Sequence, residues 1–293
     1  MAVEIIAAPR SIIGEAPTWS AAEKALYWID VKAPSLSRRR VGSREITTWM
    51  LPADIGAFAL MEGGQEAIVA LRTGLHKLDL SNGGLELIAP APFDPRYFRF
   101  NEGACDPAGR FFIGVMFDPV DGAGGAKQLE CLRSFTLDGG MRDEEDRAEL
   151  HNGMAWSPDG RTFYLSHTPQ REVFAFDYDP DQGRLGQRRS FIKIPETLGV
   201  PDGAAVDIEG GYWCALYGSG VLHRYDHTGT LTDEIELPVK HPTKCAFAGE
   251  DLDVMYVTSA CDDSDLLNKD RRAGSLLQFR PHIRGLHRNC YVR

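Results

Sequence analysis

No run of 18 apolar residues occurs in this chain, so no segment reads as a membrane span. Motifs for nucleophilic or nucleotide chemistry are missing too: there is no G-x-S-x-G, no H-E-x-x-H, and no Walker or dinucleotide fingerprint. The nearest pattern, Gly218-Ser219-Gly220, reads as a hairpin turn. The six cysteines (Cys105, Cys131, Cys214, Cys245, Cys261 and Cys290) include no C-x-x-C pair. Positive charge is scarce as well. Lys and Arg number 32 against 42 Asp and Glu, a net charge of −10, which disfavours a polyanionic partner such as nucleic acid. The one dense basic patch, Arg38-Arg39-Arg40, is diluted by Glu23 and Glu45 and reads as solvated outer-strand surface. No Pro/Ser-rich linker divides the chain, so residues 1–293 read as a single domain, and a hydrophobic fraction of 43% is ample for a large core.

What the chain does contain is a recurring phrase with one changing residue. Glu15 stands in G-E-A-P-T-W, Asn101 in F-N-E-G-A-C-D, Asn152 in H-N-G-M-A-W-S and Asp202 in P-D-G-A-A-V-D. Five residues on stand Ser20, Asp106, Ser157 and Asp207; the last three open Gly-containing turns that lead into strand-like runs. Weaker copies begin at Gly56 and Thr243, and the six heads are spaced 41, 45, 51, 50 and 41 residues apart. A period in this range, with apolar spacing near two, predicts an all-β fold, a six-bladed β-propeller. Small residues such as Gly103, Gly153, Gly203 and Ala204 suit the crowded innermost strands. Trp19, Trp28, Phe112, Trp156, Tyr164 and Trp213 read as core packing between blades. The N-terminus places Glu4 where a signal peptide carries positive charge. It predicts a short strand closing the ring against the last blade, a cytoplasmic location and reduced cysteines. The stretch Asp118–Lys127, rich in Gly and Asp, is a candidate mobile loop over one mouth.

Equivalent positions in repeats arranged around an axis converge. Glu15, Asn101, Asn152 and Asp202 would then offer two carboxylates and two amide oxygens to one divalent ion. This hard-oxygen set suits Ca²⁺, Mg²⁺ or Mn²⁺, with Zn²⁺ at lower preference. His151 and His241 flank two heads and either could approach the channel mouth, although a lone surface histidine is the default for both.

In sequence, G-E-A-P-T-W, R-F-N-E-G-A-C-D-P-A-G-R-F-F-I-G-V-M, N-G-M-A-W-S-P-D-G and P-D-G-A-A-V-D-I-E-G-G-Y-W-C-A resemble the gluconolactonase/regucalcin (senescence marker protein) family over nearly the whole chain. The resemblance implies a six-bladed propeller with one divalent ion in its tunnel, held by Glu15, Asn152 and Asp202, with Asn101 as a further ligand or substrate contact. It implies that Arg99 contacts substrate oxygens, that Glu102, where an aspartate is more usual, bonds sugar hydroxyls, and that Asp202 is the general base. The implied reaction is metal-dependent hydrolysis of a sugar lactone to the aldonic acid. The segment Phe117-Asp118-Pro119 departs from the vertebrate members, so their substrate preference does not transfer.

Two other readings use the same residues. An aryl-esterase or organophosphatase would be favoured by a more apolar mouth, to which Phe93, Tyr97, Phe98 and Phe117 could contribute. A metal-binding regulatory propeller without catalysis would have no need of Arg99 beside its ion.

Overall fold

In the computed structural model of the chain, every residue is described except 1, 7, 121–124, 263–269 and 287–293. The period-two runs form strands, and these assemble into six four-stranded antiparallel sheets. The innermost strands are Gly14–Ser20, Ile55–Leu60, Phe98–Cys105, His151–Trp156, Val200–Val206 and Pro242–Ala248, and each contains one of the six heads. Each innermost strand packs against the next, and the last returns to the first, closing a ring of six blades. The sixth blade is completed by the N-terminus, where Glu4 pairs with Gln278 and Ile5 with Leu277. The expected closure is therefore present, and the fold is an all-β six-bladed propeller.

Apolar clusters fill the wedge between each pair of neighbouring blades. Tyr27 and Phe58 join blades one and two, Phe112 and Trp156 join three and four, and Tyr164 and Tyr212 join four and five. Trp213 and Phe247 join five and six, while Trp28 and Leu276 seal the closure. The aromatics read as core are all buried. Arg38 and Arg40 both bond Glu23, which offsets part of the charge of the basic run. Cys131, Cys214 and Cys245 are free thiols, and Cys290 lies outside the described residues.

The Asp of each Asp/Gly turn ties a hairpin together. Asp207 accepts the amides of Glu209 and Gly211 at 3.0 and 2.8 Å, Trp213 Nε1 at 2.8 Å and Arg224 Nε at 2.7 Å. Asp106 likewise accepts the amides of Ala108 and Arg110 at 3.0 and 2.7 Å and the Tyr178 hydroxyl at 2.5 Å. Buried carboxylates that are bonded in this way specify the turn and lock the second strand to it.

Crowding at the axis explains the small residues. A Cβ on Gly56 would lie 2.0 Å from the Phe100 carbonyl oxygen, which is backbone and cannot swing aside. Gly56→Ala is expected to cost about 3 kcal/mol, at the upper end of ordinary overpacking. A urea melt should show a lower midpoint with unchanged slope; an unchanged midpoint would mean that the axis has slack.

Candidate active site

The heads recur because each innermost strand carries a bulge at that place. Register shifts fall between Glu15 and Thr18, Phe100 and Gly103, Asn152 and Ala155, and Pro201 and Ala204. The two weaker copies shift at the same place, between Ile55 and Ala57 and between Pro242 and Cys245. A bulge frees residues from the ladder and re-aims their side chains, here toward the tunnel. Gly153, with φ +62°, makes the turn beside Asn152, and a Cβ there would lie 2.2 Å from Ser166 Oγ.

Around the axis these side chains meet. Asn101 Nδ2 donates to Asn152 Oδ1 at 2.6 Å, and Arg99 Nη1 donates to Asn101 Oδ1 at 2.8 Å. Asn152 Nδ2 donates to Thr168 Oγ1 at 3.0 Å, and that hydroxyl donates to the Pro201 carbonyl at 2.8 Å, one residue before Asp202. Glu15 accepts its neighbour's amide, Ala16 N, at 2.6 Å. Glu15 and Asp202 interact with each other, with Glu102 and with Lys244.

Glu102 faces the interior of the ring rather than an open mouth. Its oxygens accept Gly153 N at 2.7 Å, Met154 N at 2.9 Å and Lys244 Nζ at 2.5 Å, and both partners of the ion pair are buried. Glu102 and Lys244 thus brace blades three, four and six across the axis. Lys244 was not legible as a tunnel residue. The head of its repeat is Thr243, whose hydroxyl instead donates to the Gly14 carbonyl at 2.5 Å.

The electrostatics of the ring bear on whether it suits a cation. Burial, helped by Glu102 and opposed by Lys244, pushes the Glu15 carboxyl up to about 7. Burial, then repulsion from Glu15 and Glu102, pushes Asp202 well above the usual carboxylate range. Ionised together, the three carboxylates would outnumber Lys244 and Arg99, the cations that act on them. Such a set is costly alone and is matched by a divalent cation with oxygen preference. The residues therefore fit the ion that the sequence pattern implies.

A second group of ligand-type side chains was missed. One oxygen of Asp146 and one nitrogen each of His151 and His167 lie within 4.8 Å of one another, all buried, where the outer strand of blade three meets blade four. The expectation of surface histidines is thus corrected: His151 is 0% exposed and His241 4%. His241 faces Asp262 at 3.2 Å and packs on Tyr217. The triad residues come from three strands with no shared spacing, and only H-N-G hinted at His151.

Two tautomers decide how the triad is read. The Val115 amide donates to His151 Nδ1 at 3.4 Å, so the ring proton is on Nε2, 3.2 Å from Asp146 Oδ2. His167 Nε2 lies 2.7 Å from the same oxygen, and Arg188 Nη1 donates to Asp146 Oδ1 at 3.1 Å. As folded, the cluster is a carboxylate accepting three donors rather than three ligands with free lone pairs. Its bonds to the histidines outweigh burial and hold Asp146 below the usual carboxylate range, while burial lowers His151.

The signs follow by linkage. His151 is held neutral, so its share of stability is present above about pH 6.5 and is lost as pH falls below that. The Asp146 share is lost only below about pH 3.9. Asp146→Asn is expected to cost about 3 kcal/mol at pH 7.5, measured by denaturant titration, since charge-assisted bonds are worth about 1.5–3 kcal/mol each. A loss under about 0.5 kcal/mol would show that the cluster is not a brace.

The sequence profile of the SMP-30/gluconolactonase/LRE-like region matches residues 13–261. A 6-deoxy-6-sulfogluconolactonase of Pseudomonas putida is 38% identical over 258 residues, covering 85% of this chain and 84% of that protein. Chicken (Gallus gallus) regucalcin is 32% identical over 280 residues, covering 94% of this chain and 93% of that protein. A solved structure described as a calcium-binding regucalcin from Agrobacterium tumefaciens superposes with a TM-score of 0.88 at 27% identity, covering 97% of this chain and 95% of that one. The fold thus has a close counterpart among solved structures, and the chain belongs to the SMP-30/gluconolactonase/LRE-like family.

Proposed function

We propose that this protein is a divalent-metal-dependent hydrolase of a sugar lactone, giving the aldonic acid. The observation that carries the reading is the buried, charge-uncompensated ring of Glu15, Asn152 and Asp202 with Arg99 and Asn101 beside it. The sulfogluconolactonase relative supports the substrate class. Glu15, Asn152 and Asp202 would hold the ion, with Asn101 as a further ligand or a substrate contact. When bound, the ion would supply Lewis-acid polarisation of the lactone carbonyl.

The remaining work falls to the chain. Arg99 is oriented by four acceptors, the Phe100 carbonyl, Asn101 Oδ1, Asp118 Oδ2 and Met116 Sδ, at 3.0, 2.8, 2.9 and 3.0 Å. So fixed, it binds substrate oxygens without paying to order itself on binding. Asp202 is partly open to the channel. From there it is placed to take a proton from the attacking water. The water oxygen bonds to the carbonyl carbon, the ring C–O bond breaks, and the departing oxygen takes up a proton as the hydroxyl. Glu102, with both oxygens engaged inside the ring, supports this site by bracing it.

A pH-indicator assay with a panel of aldonolactones, in chelator and in each of Ca²⁺, Mg²⁺, Mn²⁺ and Zn²⁺, tests the reading. Acid release above the spontaneous rate, abolished by chelator, is expected. Metal binding without acid release from any lactone would favour the regulatory alternative; aryl-ester turnover alone would favour the esterase.

A further inference from the structure

Beside the acidic ring lies a cluster of opposite sign. Lys32 Nζ, Arg72 Nη2 and Arg99 Nε, from blades one, two and three, converge on Asp118 Oδ2 at 2.8, 2.6 and 2.9 Å. Asp54 Oδ2 also takes Lys32 and Arg72, at 2.8 and 2.9 Å. Burial opposes ionisation of both carboxyls, but the cations outweigh it and hold Asp118 and Asp54 below the usual carboxylate range. Both are therefore anions. Three cations against two anions leave one positive charge uncancelled among groups in direct contact.

That surplus is partly desolvated. The Arg99 side chain is 5% exposed and the Arg72 side chain 10%. Arg72 is spent inside the protein, its donors taken by Asp54, Asp118 Oδ2 and the carbonyls of Pro95, Phe98 and Asp118, and Arg99 also faces the acidic ring. Lys32 remains 33% exposed, and two of its three ammonium hydrogens are used by Asp54 and Asp118. The third is available to a ligand. Asp118 and Asp54 thus hold the cations in array without cancelling them.

The cluster also has a fixed relation to the ring. Arg99 donates to Asn101 on one side and to Asp118 on the other, so the two sites lie one guanidinium apart. Lys32 and Arg99 share Asp118 Oδ2, which places Lys32 next to the arginine that flanks the ring. We infer that Lys32, with the buried charges of Arg72 and Arg99 behind it, forms a subsite for an anionic group (sulfonate, phosphate or carboxylate) at the end of the substrate remote from the lactone carbonyl. This rests on the lactonase reading, and it makes the preferred substrate an anionic lactone rather than a neutral one.

The test compares glucono-1,5-lactone with its 6-sulfonate, 6-phosphate and 6-carboxylate counterparts on metal-loaded wild type and Lys32→Met. The quantity read is the ratio of kcat/KM for each anionic lactone to that for the neutral one, so a general loss of activity cancels. Wild type should favour at least one anion about tenfold, which also identifies the group, and Lys32→Met should bring that ratio close to one. A charge-assisted hydrogen bond supports an effect of that order. A wild-type ratio near one, or a ratio that Lys32→Met leaves unchanged, overturns the inference while the lactonase reading stands. If no lactone is hydrolysed, the lactonase reading falls and calorimetry decides the subsite. Tighter binding of 6-deoxy-6-sulfogluconate than of gluconate, lost in Lys32→Met, sustains it; equal binding of the two overturns it.

Discussion

Asp202→Asn is expected to lower kcat by at least about 100-fold, the scale of a general-base contribution, while leaving the fold intact or firmer. The second half of that expectation comes from the electrostatics. Burial and the carboxylates of Glu15 and Glu102 push Asp202 upward, so its ionised form is disfavoured in the folded state. A carboxyl raised on folding costs stability as pH rises from its unfolded value, about 3.9, toward its folded one. Asparagine keeps the size and removes the charge. The metal-free variant should therefore melt no lower than metal-free wild type at pH 8, and higher if repulsion dominates. Activity and stability should move in opposite directions, as they do where a site is held under strain for function. Retention of more than about a tenth of kcat would remove Asp202 as the base. A sharp fall in melting temperature without metal would make it a structural residue.

Much of this was readable because repetition converts one dimension into three. Glu15, Asn101, Asn152 and Asp202 share a place in the repeat, and the structure puts each on an innermost strand at its bulge. The Asp/Gly turns were legible for the same reason, since Asp106 and Asp207 fold the chain back on themselves within five residues. The charge network was not. Lys244 reaches Glu102 from 142 positions away, and nothing local in T-K-C-A-F says which of Thr243 and Lys244 enters the tunnel. Lys32, Arg72 and Asp118 come from the connections at the mouth, which carry no period, so only the folded ring brings them to Arg99. Of the loop Asp118–Lys127, residues 121–124 lie outside the described residues. Its first residues are tied down, with Asp118 N on the Tyr97 carbonyl at 2.9 Å and Val120 N on that of Arg96 at 3.0 Å.

The central claim is that distant repeats build one cation site, and metal binding tests it most directly. The measurement is a metal titration of chelator-treated protein, read as stoichiometry by calorimetry and as melting temperature, on wild type, Glu15→Gln and Asp146→Asn. A ligand that binds only the folded state stabilises it by RT ln(1 + [L]/Kd), about 2.7 kcal/mol at a hundredfold Kd. At about 2–4 °C per kcal/mol, the melt should rise by about 5–10 °C. The shift should be small at pH 5 and large at pH 8, because Glu15, raised to about 7, must lose its proton to serve as a ligand. The account predicts one ion per chain in wild type and in Asp146→Asn, with affinity sharply reduced in Glu15→Gln. An ion lost in Asp146→Asn but kept in Glu15→Gln would move the metal to the histidine cluster, and the absence of any bound ion would return the four heads to the role of strand and turn formers.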